Sequence, residues 1–397
     1  MKKIMFYCQY LTGMGHLVRS TEIVRSLVKE FQVYFINGGP PVQGFEIPPN
    51  VESIRLPALW IENGQLTVEN LDQTVEEVKE SRKNQLIEVF DEIQPDCLIT
   101  EFFPFGRHKL FFELIPLLEH VRSTSPSTKI ACSLRDVIGR ETLSDEAETI
   151  CQLVNQYFDL ILFHTEPKFQ SFEASFPRYK DLNCEIHYTG FVAQSLPESS
   201  PNNDENLNSI DKNHPIILVS VGGGRLGYEL IESVIQASSL LENKIPHKIQ
   251  IFTGPFMAET EFLQLQKLAL NRSNVNLQRY TSHLLDYMEK AELSISLSGY
   301  NTTMNILKTA VRAIVVPIGH YNQDQEQLVR TKKLEQLGIV EVIPPSDLEP
   351  AYLAHRIIAS LNKPSVERTS ELFDLQGAQN TTTFLNELLY SKIPTTT

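Results

Sequence analysis

Ser296-Leu-Ser-Gly-Tyr-Asn-Thr-Thr303 decides how this chain is read. Residues 292–295 before it have the pattern of a strand, and the residues after it that of a helix running to residue 310. Small residues at such a junction leave the first N–H groups of the helix open. Those groups, with the positive end of the helix dipole, suit a phosphate. Residues 313–317 then read as the next strand, followed by His320-Tyr-Asn-Gln-Asp-Gln-Glu-Gln327. This polar loop lies at the carboxyl end of a strand, where open α/β sheets place their ligands. Two such loops in succession describe a nucleotide site. Ser298, Gly299, Tyr300, Asn301, Thr302 and Thr303 would face the phosphates, and His320, Asp324, Gln325 and Gln327 would bond hydroxyl groups. The alternative for the second loop is a solvated helix start.

Outward from this stretch, short apolar runs alternate with helical patterns on both sides. Toward the N-terminus the expected strands are 4–9, 32–36, 51–56, 96–100, 129–134, 160–163 and 184–188, with helices at 17–29, 68–93 and 111–122. Residues 195–214 are rich in Ser, Pro, Asn, Asp and Glu without an apolar period, which marks a linker. After it the rhythm restarts: strands at 215–221, 248–253 and 275–278, helices after residue 227 and at 282–290, then terminal helices at 351–361 and 370–390. Alternating strands and helices imply parallel sheets covered on both faces. The expected architecture is α/β, two doubly wound domains in tandem facing across a cleft: residues 1–195, a linker at 196–213, residues 214–369, and a C-terminal helix and tail at 370–397.

The chain has 397 residues, 42% of them hydrophobic and 21% charged, which suits two globular domains. A net charge of −14 argues against a nucleic-acid protein, whose phosphate contacts need a concentrated basic surface. The five cysteines form no C-x-x-C pair and read as reduced core thiols. Without a signal-peptide pattern or a long apolar run, the expectation is a cytoplasmic protein.

Thr12-Gly-Met-Gly-His16 joins the first strand to the first helix but lacks the G-x-G-x-x-G spacing of a dinucleotide site. Gly13 and Gly15 leave room for a substrate beside His16, whose ordinary pKa suits a general base. Glu101 ends the strand at 96–100 and faces the same edge; it either orients His16 or accepts the proton itself. Arg135, Asp136 and His164 share the strand-end position and would shape an acceptor pocket or brace the loops. Gly222-Gly-Gly224 with Arg225 can form a nest of N–H donors plus one cation. No metal-ligand spacing appears, and no cofactor is implied. Phe102-Phe-Pro-Phe105 and residues 110–118 read as core, with a peripheral membrane patch as the less favoured alternative.

Thr12-Gly-Met-Gly-His-Leu-Val-Arg19, Ser133-Leu-Arg-Asp136, Tyr188-Thr-Gly-Phe-Val192, Gly222-Gly-Gly224, Ser298-Gly-Tyr-Asn-Thr302 and Glu326-Gln-Leu-Val-Arg330, in this order, resemble the GT-B glycosyltransferases of the MurG type. The resemblance implies a nucleoside diphosphate sugar donor, UDP-linked and of the N-acetylhexosamine kind in the nearest case, held by the second domain. It also implies a hydroxyl-bearing acceptor, small molecule or lipid, held by the first domain, with no required metal and with inversion at the sugar. His16 would then be the base and Glu101 its partner, while Gly13, Gly15, Arg135 and Asp136 would line the acceptor side. Where the family has a glutamate for the donor ribose, this chain has Asn305. That departure keeps two alternatives in view: an epimerase or hydrolase acting on the donor alone, and a silent nucleotide-sugar binder.

Overall fold

The computed structural model describes the chain except residues 63, 71, 139–143, 197–206, 208–214, 243, 318–324, 364–371 and 391–397. Its first half holds a parallel sheet of β1 (Lys3–Cys8), β2 (Gln32–Asn37), β3 (Glu52–Arg55), β6 (Cys97–Glu101), β7 (Lys129–Arg135), β8 (Leu160–His164) and β9 (Glu185–Tyr188). A small antiparallel hairpin, β4 (Leu59–Glu62) and β5 (Gln65–Val68), stands beside it. The second half holds β10 (Ile216–Ser220), β11 (Lys248–Phe252), β12 (Val275–Gln278), β13 (Leu293–Leu297), β14 (Ala313–Val316) and β15 (Glu341–Val342), also all parallel.

The strand orders are 3-2-1-6-7-8-9 and 12-11-10-13-14-15. Each order reverses once, between β1 and β6 in the first sheet and between β10 and β13 in the second. Open α/β sheets bind ligands at these switch points. The loop after β1 carries Gly13–His16, and the loops after β10 and β13 carry Gly222–Gly224 and Ser298–Gly299. The stretches singled out in the sequence therefore sit at the switch points of both sheets.

Burial on both faces explains why the central strands are nearly unbroken apolar runs. In β1, Met5 and Tyr7 pack into one core layer while Ile4, Phe6 and Cys8 pack into the other. In β10, Ile217 and Val219 face one layer and Leu218 the opposite one. The covering helices that matter below are α1 (Gly15–Leu27), α2 (Val75–Ile93), α3 (Phe111–Thr124), α4 (Ser144–Tyr157), α5 (Tyr228–Leu241), α6 (Glu259–Ala269), α7 (Leu284–Lys290), α8 (Tyr300–Thr309), α9 (Gln325–Gln336), α10 (Pro350–Leu361) and α11 (Gly377–Tyr390).

The expected helix at 68–93 is corrected at its start. Val68 belongs to β5, and α2 begins only after Thr74, whose side chain accepts from the Glu77 N–H in a reciprocal capping box. The expected helix at 370–390 begins only at Gly377, because Gln376 forms a bridge with Val192. Helices α4 and α6 and the short helix Phe172–Ser175 were not expected from the sequence, and α9 was in view only as a helix start. In α6 only Leu265 is buried, so no apolar stripe announces it. In α4 the stripe exists, with Ala147, Ile150, Val154 and Tyr157 all buried at helical spacing.

α11 returns to the first half of the molecule. Ala378 and Leu385 join the core layer of Ile23, Val24 and Leu27, and Thr382 donates to Ser26 across 2.7 Å. The expected linker lies almost wholly outside the described residues. Phe103, Phe105, Leu110, Leu114, Leu117 and Leu118 are buried, so this stretch is core and not a membrane patch. No helix among the described residues is long and apolar enough to cross a membrane.

Candidate active site

The carboxyl edges of the two sheets face one another across a cleft of about 620 Å³. Its walls come from the loop after β1 on one side and from the loops after β10 and β13 on the other. At one point these walls meet closely. A methyl group at Gly223 would lie 3.6 Å from Gly13 Cα, and the Asn301 side-chain amide donates to the Gly15 carbonyl at 2.8 Å.

The second-domain wall is built to leave backbone donors open. Gly224 has φ +88°, and a Cβ there would meet the Thr253 carbonyl at 2.3 Å, so only glycine fits. Gly222 also lies in the left-handed region, at φ +66°. Arg225 stands beside this loop with its guanidinium 5.2 Å from the Phe256 ring centre. At the start of α8 the capping residue is Gly299, which offers no side-chain cap, and among the described residues no side chain bonds to the first-turn N–H groups. The first N–H groups of a helix have no partner within it, so this end presents donors and the positive dipole to the cleft.

The neighbouring side chains are used differently from one another. Asn301, Thr302 and Gln327 line the cleft, whereas Ser298 is buried beneath it and donates to Gln327 Oε1 at 3.3 Å. The Thr303 hydroxyl folds back onto the Gly299 and Tyr300 carbonyls. Asn305 is buried but borders the cleft; its amide nitrogen donates to Gln194 Oε1 at 2.6 Å, leaving its own oxygen without a hydrogen bond. His320 and Asp324 lie outside the described residues, and Gln325 opens α9.

On the first-domain wall, His16 follows Gly15 at the start of α1 and borders the cleft. Its Nδ1 lies 2.6 Å from Glu101 Oε1. Burial, then the Arg107 guanidinium, push the His16 pKa down from 6.5 to about 3, and Arg135 adds to this against the pull of Glu101. The imidazole is therefore neutral at ordinary pH, and its pKa is not the ordinary one expected from the sequence. Glu101 Oε1 fixes the tautomer with the proton on Nδ1, which leaves Nε2 with a free lone pair.

Glu101 itself is fully buried and does not border the cleft. Burial alone would raise its pKa, but His16 and the guanidinium groups of Arg19 and Arg107 outweigh burial and hold it below the usual carboxylate range. Arg19 pairs with Oε1, and Arg107 approaches Oε2 at 3.6 Å. Of the two roles open to Glu101 in the sequence, this geometry fits orientation of His16. Phe102, at φ +64°, sets its ring 5.7 Å from the imidazole, with the Arg135 guanidinium 4.8 Å from the same ring.

Of the residues expected on an acceptor side, Gly13, Gly15 and Arg135 border the cleft and Asp136 does not. It is fully buried and accepts two hydrogen bonds at 2.7 Å from Arg330 of α9. An acceptor cannot reach a carboxylate whose oxygens are committed to a guanidinium in the domain interface. Beside it, Arg135 pairs with Glu326.

Sequence reasoning passed over Arg19, Arg107 and Gln194 as site residues. Arg19 had a legible signal, since it lies three residues beyond His16 and so on the same helix face. Arg107 and Gln194 had none, because loops bring them in.

Residues 217–380 match the glycosyltransferase family 28 C-terminal domain. A UDP-N-acetylglucosamine--N-acetylmuramyl-(pentapeptide) pyrophosphoryl-undecaprenol N-acetylglucosamine transferase from Oenococcus oeni is 26% identical over 156 residues, 39% of this chain and 41% of that protein. The chain thus spans less than half the length of this curated relative. Among solved structures, MurG of Acinetobacter baumannii matches with a TM-score of 0.58 at 13% identity, covering 98% of this chain and 100% of that one. A protein described as a UDP-N-acetylglucosamine 2-epimerase from Listeria monocytogenes matches with a TM-score of 0.64 at 14% identity, covering 99% of this chain and 98% of that one. At such identities these likenesses show the GT-B fold.

Proposed function

We propose, from the premise that the second half of this chain is a family 28 glycosyltransferase domain on a GT-B fold, that the protein transfers a sugar from a nucleoside diphosphate sugar to a hydroxyl acceptor. The observation that carries this reading is the pairing across the cleft. A neutral histidine, held by a buried glutamate, faces an uncapped helix start and a glycine nest. His16 Nε2 takes the proton of the acceptor hydroxyl. The hydroxyl oxygen attacks the anomeric carbon as the bond to the diphosphate breaks, with inversion of that carbon. The leaving diphosphate gains charge where the N–H groups of α8 and the Gly222–Gly224 loop already point, the role that a metal ion fills in other enzymes.

The donor is taken to be UDP-linked, in keeping with the UDP-N-acetylglucosamine specificity named for the Oenococcus oeni relative. The acceptor is a hydroxyl-bearing small molecule or lipid. Thermal unfolding in EDTA tests the donor half directly. UDP or a UDP-sugar should raise the melting temperature. Stabilisation that appears only with magnesium or manganese would contradict the metal-free site. Turnover of the UDP-sugar without any acceptor would favour epimerase or hydrolase chemistry instead.

A further inference from the structure

Tyr300, the first residue of α8, borders the cleft yet is buried, and its ring and hydroxyl are engaged by other parts of the protein. Its ring centre lies 5.2 Å from the Arg19 guanidinium and 5.3 Å from that of Arg330. Its hydroxyl accepts from the Val192 N–H at 3.0 Å and donates to the His164 carbonyl at 3.3 Å. Arg19 in turn pairs with Glu101, the carboxylate that holds His16, and Arg330 pairs with Asp136. One side chain thus ties the open end of α8 to the group that orients the imidazole across the cleft.

We propose that Tyr300 is a positioning residue that sets the register between the α8 N-terminus and His16, and that it is not a ligand of the sugar donor. This rests on the reading above, in which α8 receives the diphosphate and His16 is the base. A displacement of the order of 1 Å between reacting groups costs about 100-fold in rate, so a register device has a large effect without touching substrate. Cation–π contacts with a desolvated ring hold guanidinium groups in place, and here two such groups anchor to carboxylates of the first domain.

The groups facing His16 are Glu101 at the end of β6, Arg107 in the loop beyond it, Arg135 at the end of β7, Arg19 one turn along α1, and the Phe102 ring, with Glu326 of α9 behind Arg135. Removing the Tyr300 ring frees Arg19 to withdraw from Glu101. The carboxylate then acts on His16 with less compensation, and water gains access. Both changes make the imidazole more basic.

The test compares Tyr300→Leu and Tyr300→Phe in the full chain, following the His16 imidazole by NMR titration together with kcat, KM and UDP affinity. Tyr300→Leu should move the His16 titration upward toward its ordinary value and lower kcat by about 100-fold, with UDP affinity within about twofold of the native protein. Tyr300→Phe keeps the ring and should leave the His16 titration where it was. If Tyr300→Leu does not fold, Tyr300→Met reads the same coupling. An unchanged His16 titration in the Leu or Met variant would overturn the proposal, as would a loss confined to UDP affinity. The titration needs neither donor nor acceptor. A native protein that transfers no sugar would therefore refute the proposed function while leaving the Tyr300 test intact.

Discussion

Helices α1 and α8 both begin at the switch point of a parallel sheet and both lack a side-chain cap, yet their first turns carry different side chains. α1 opens on His16 and Arg19, whose polar atoms engage a buried glutamate. α8 opens on Gly299 with no side-chain cap, so its first N–H groups remain available. Neither start has a side-chain cap, but only α1 adds side chains tied to a buried glutamate; in the proposed mechanism His16 there handles a proton while the α8 start meets an anion. The same supersecondary geometry thus serves two tasks, and the residues in the first turn decide which.

The largest effect that would break this comparison lies in the glycine nest. Gly223→Asp puts a carboxylate between Gly13 and Phe256, where the reading has phosphate oxygens, and should abolish stabilisation by UDP in a thermal-shift measurement. A variant that still gains melting temperature with UDP would move the diphosphate elsewhere. Next is the interface that holds the two helix starts in place. Asp136→Ala leaves Arg330 buried with only the more distant Glu326, at 3.8 Å, as a carboxylate partner, and should cost about 3 kcal/mol in urea unfolding. A cost near zero would mean that the ion pair is dispensable and the domains are held by their apolar contacts.

The smallest effect concerns Asn305. Its oxygen is buried at the cleft edge without a hydrogen bond, while its nitrogen is spent on Gln194. Asn305→Glu should tighten UDP binding by about 1 kcal/mol, as a charged acceptor replaces a neutral one. Weaker binding by calorimetry would show that the pocket around Asn305 is not arranged for a ribose.

Most strands of the two sheets were legible in the sequence because strands buried on both faces are unbroken apolar runs, as in Ile216–Ser220 and Ala313–Val316; the half-exposed hairpin β4–β5 and the two-residue β15 were not. The helices that escaped notice include α6, whose exposed position removes the periodic signal. In the site, His16, Glu101 and the α8 start could be found because each lies at a strand end. Asp136 was misjudged by the same logic. Its strand-end position is as expected, but its oxygens are taken by Arg330, 194 residues away in sequence. Contacts of that separation leave no local pattern. Tyr300 sits inside the expected phosphate motif, and only the folded structure shows that its ring and hydroxyl are turned toward the other domain.

The central claim is that His16 is a base and does not hold the donor. Measuring sugar transfer and UDP affinity in His16→Ala tests it most directly. The account predicts transfer lowered by about 10²–10⁴-fold, the usual contribution of a general base, with UDP affinity essentially that of the native protein. Normal turnover, or a loss that appears in UDP affinity instead of rate, would contradict it.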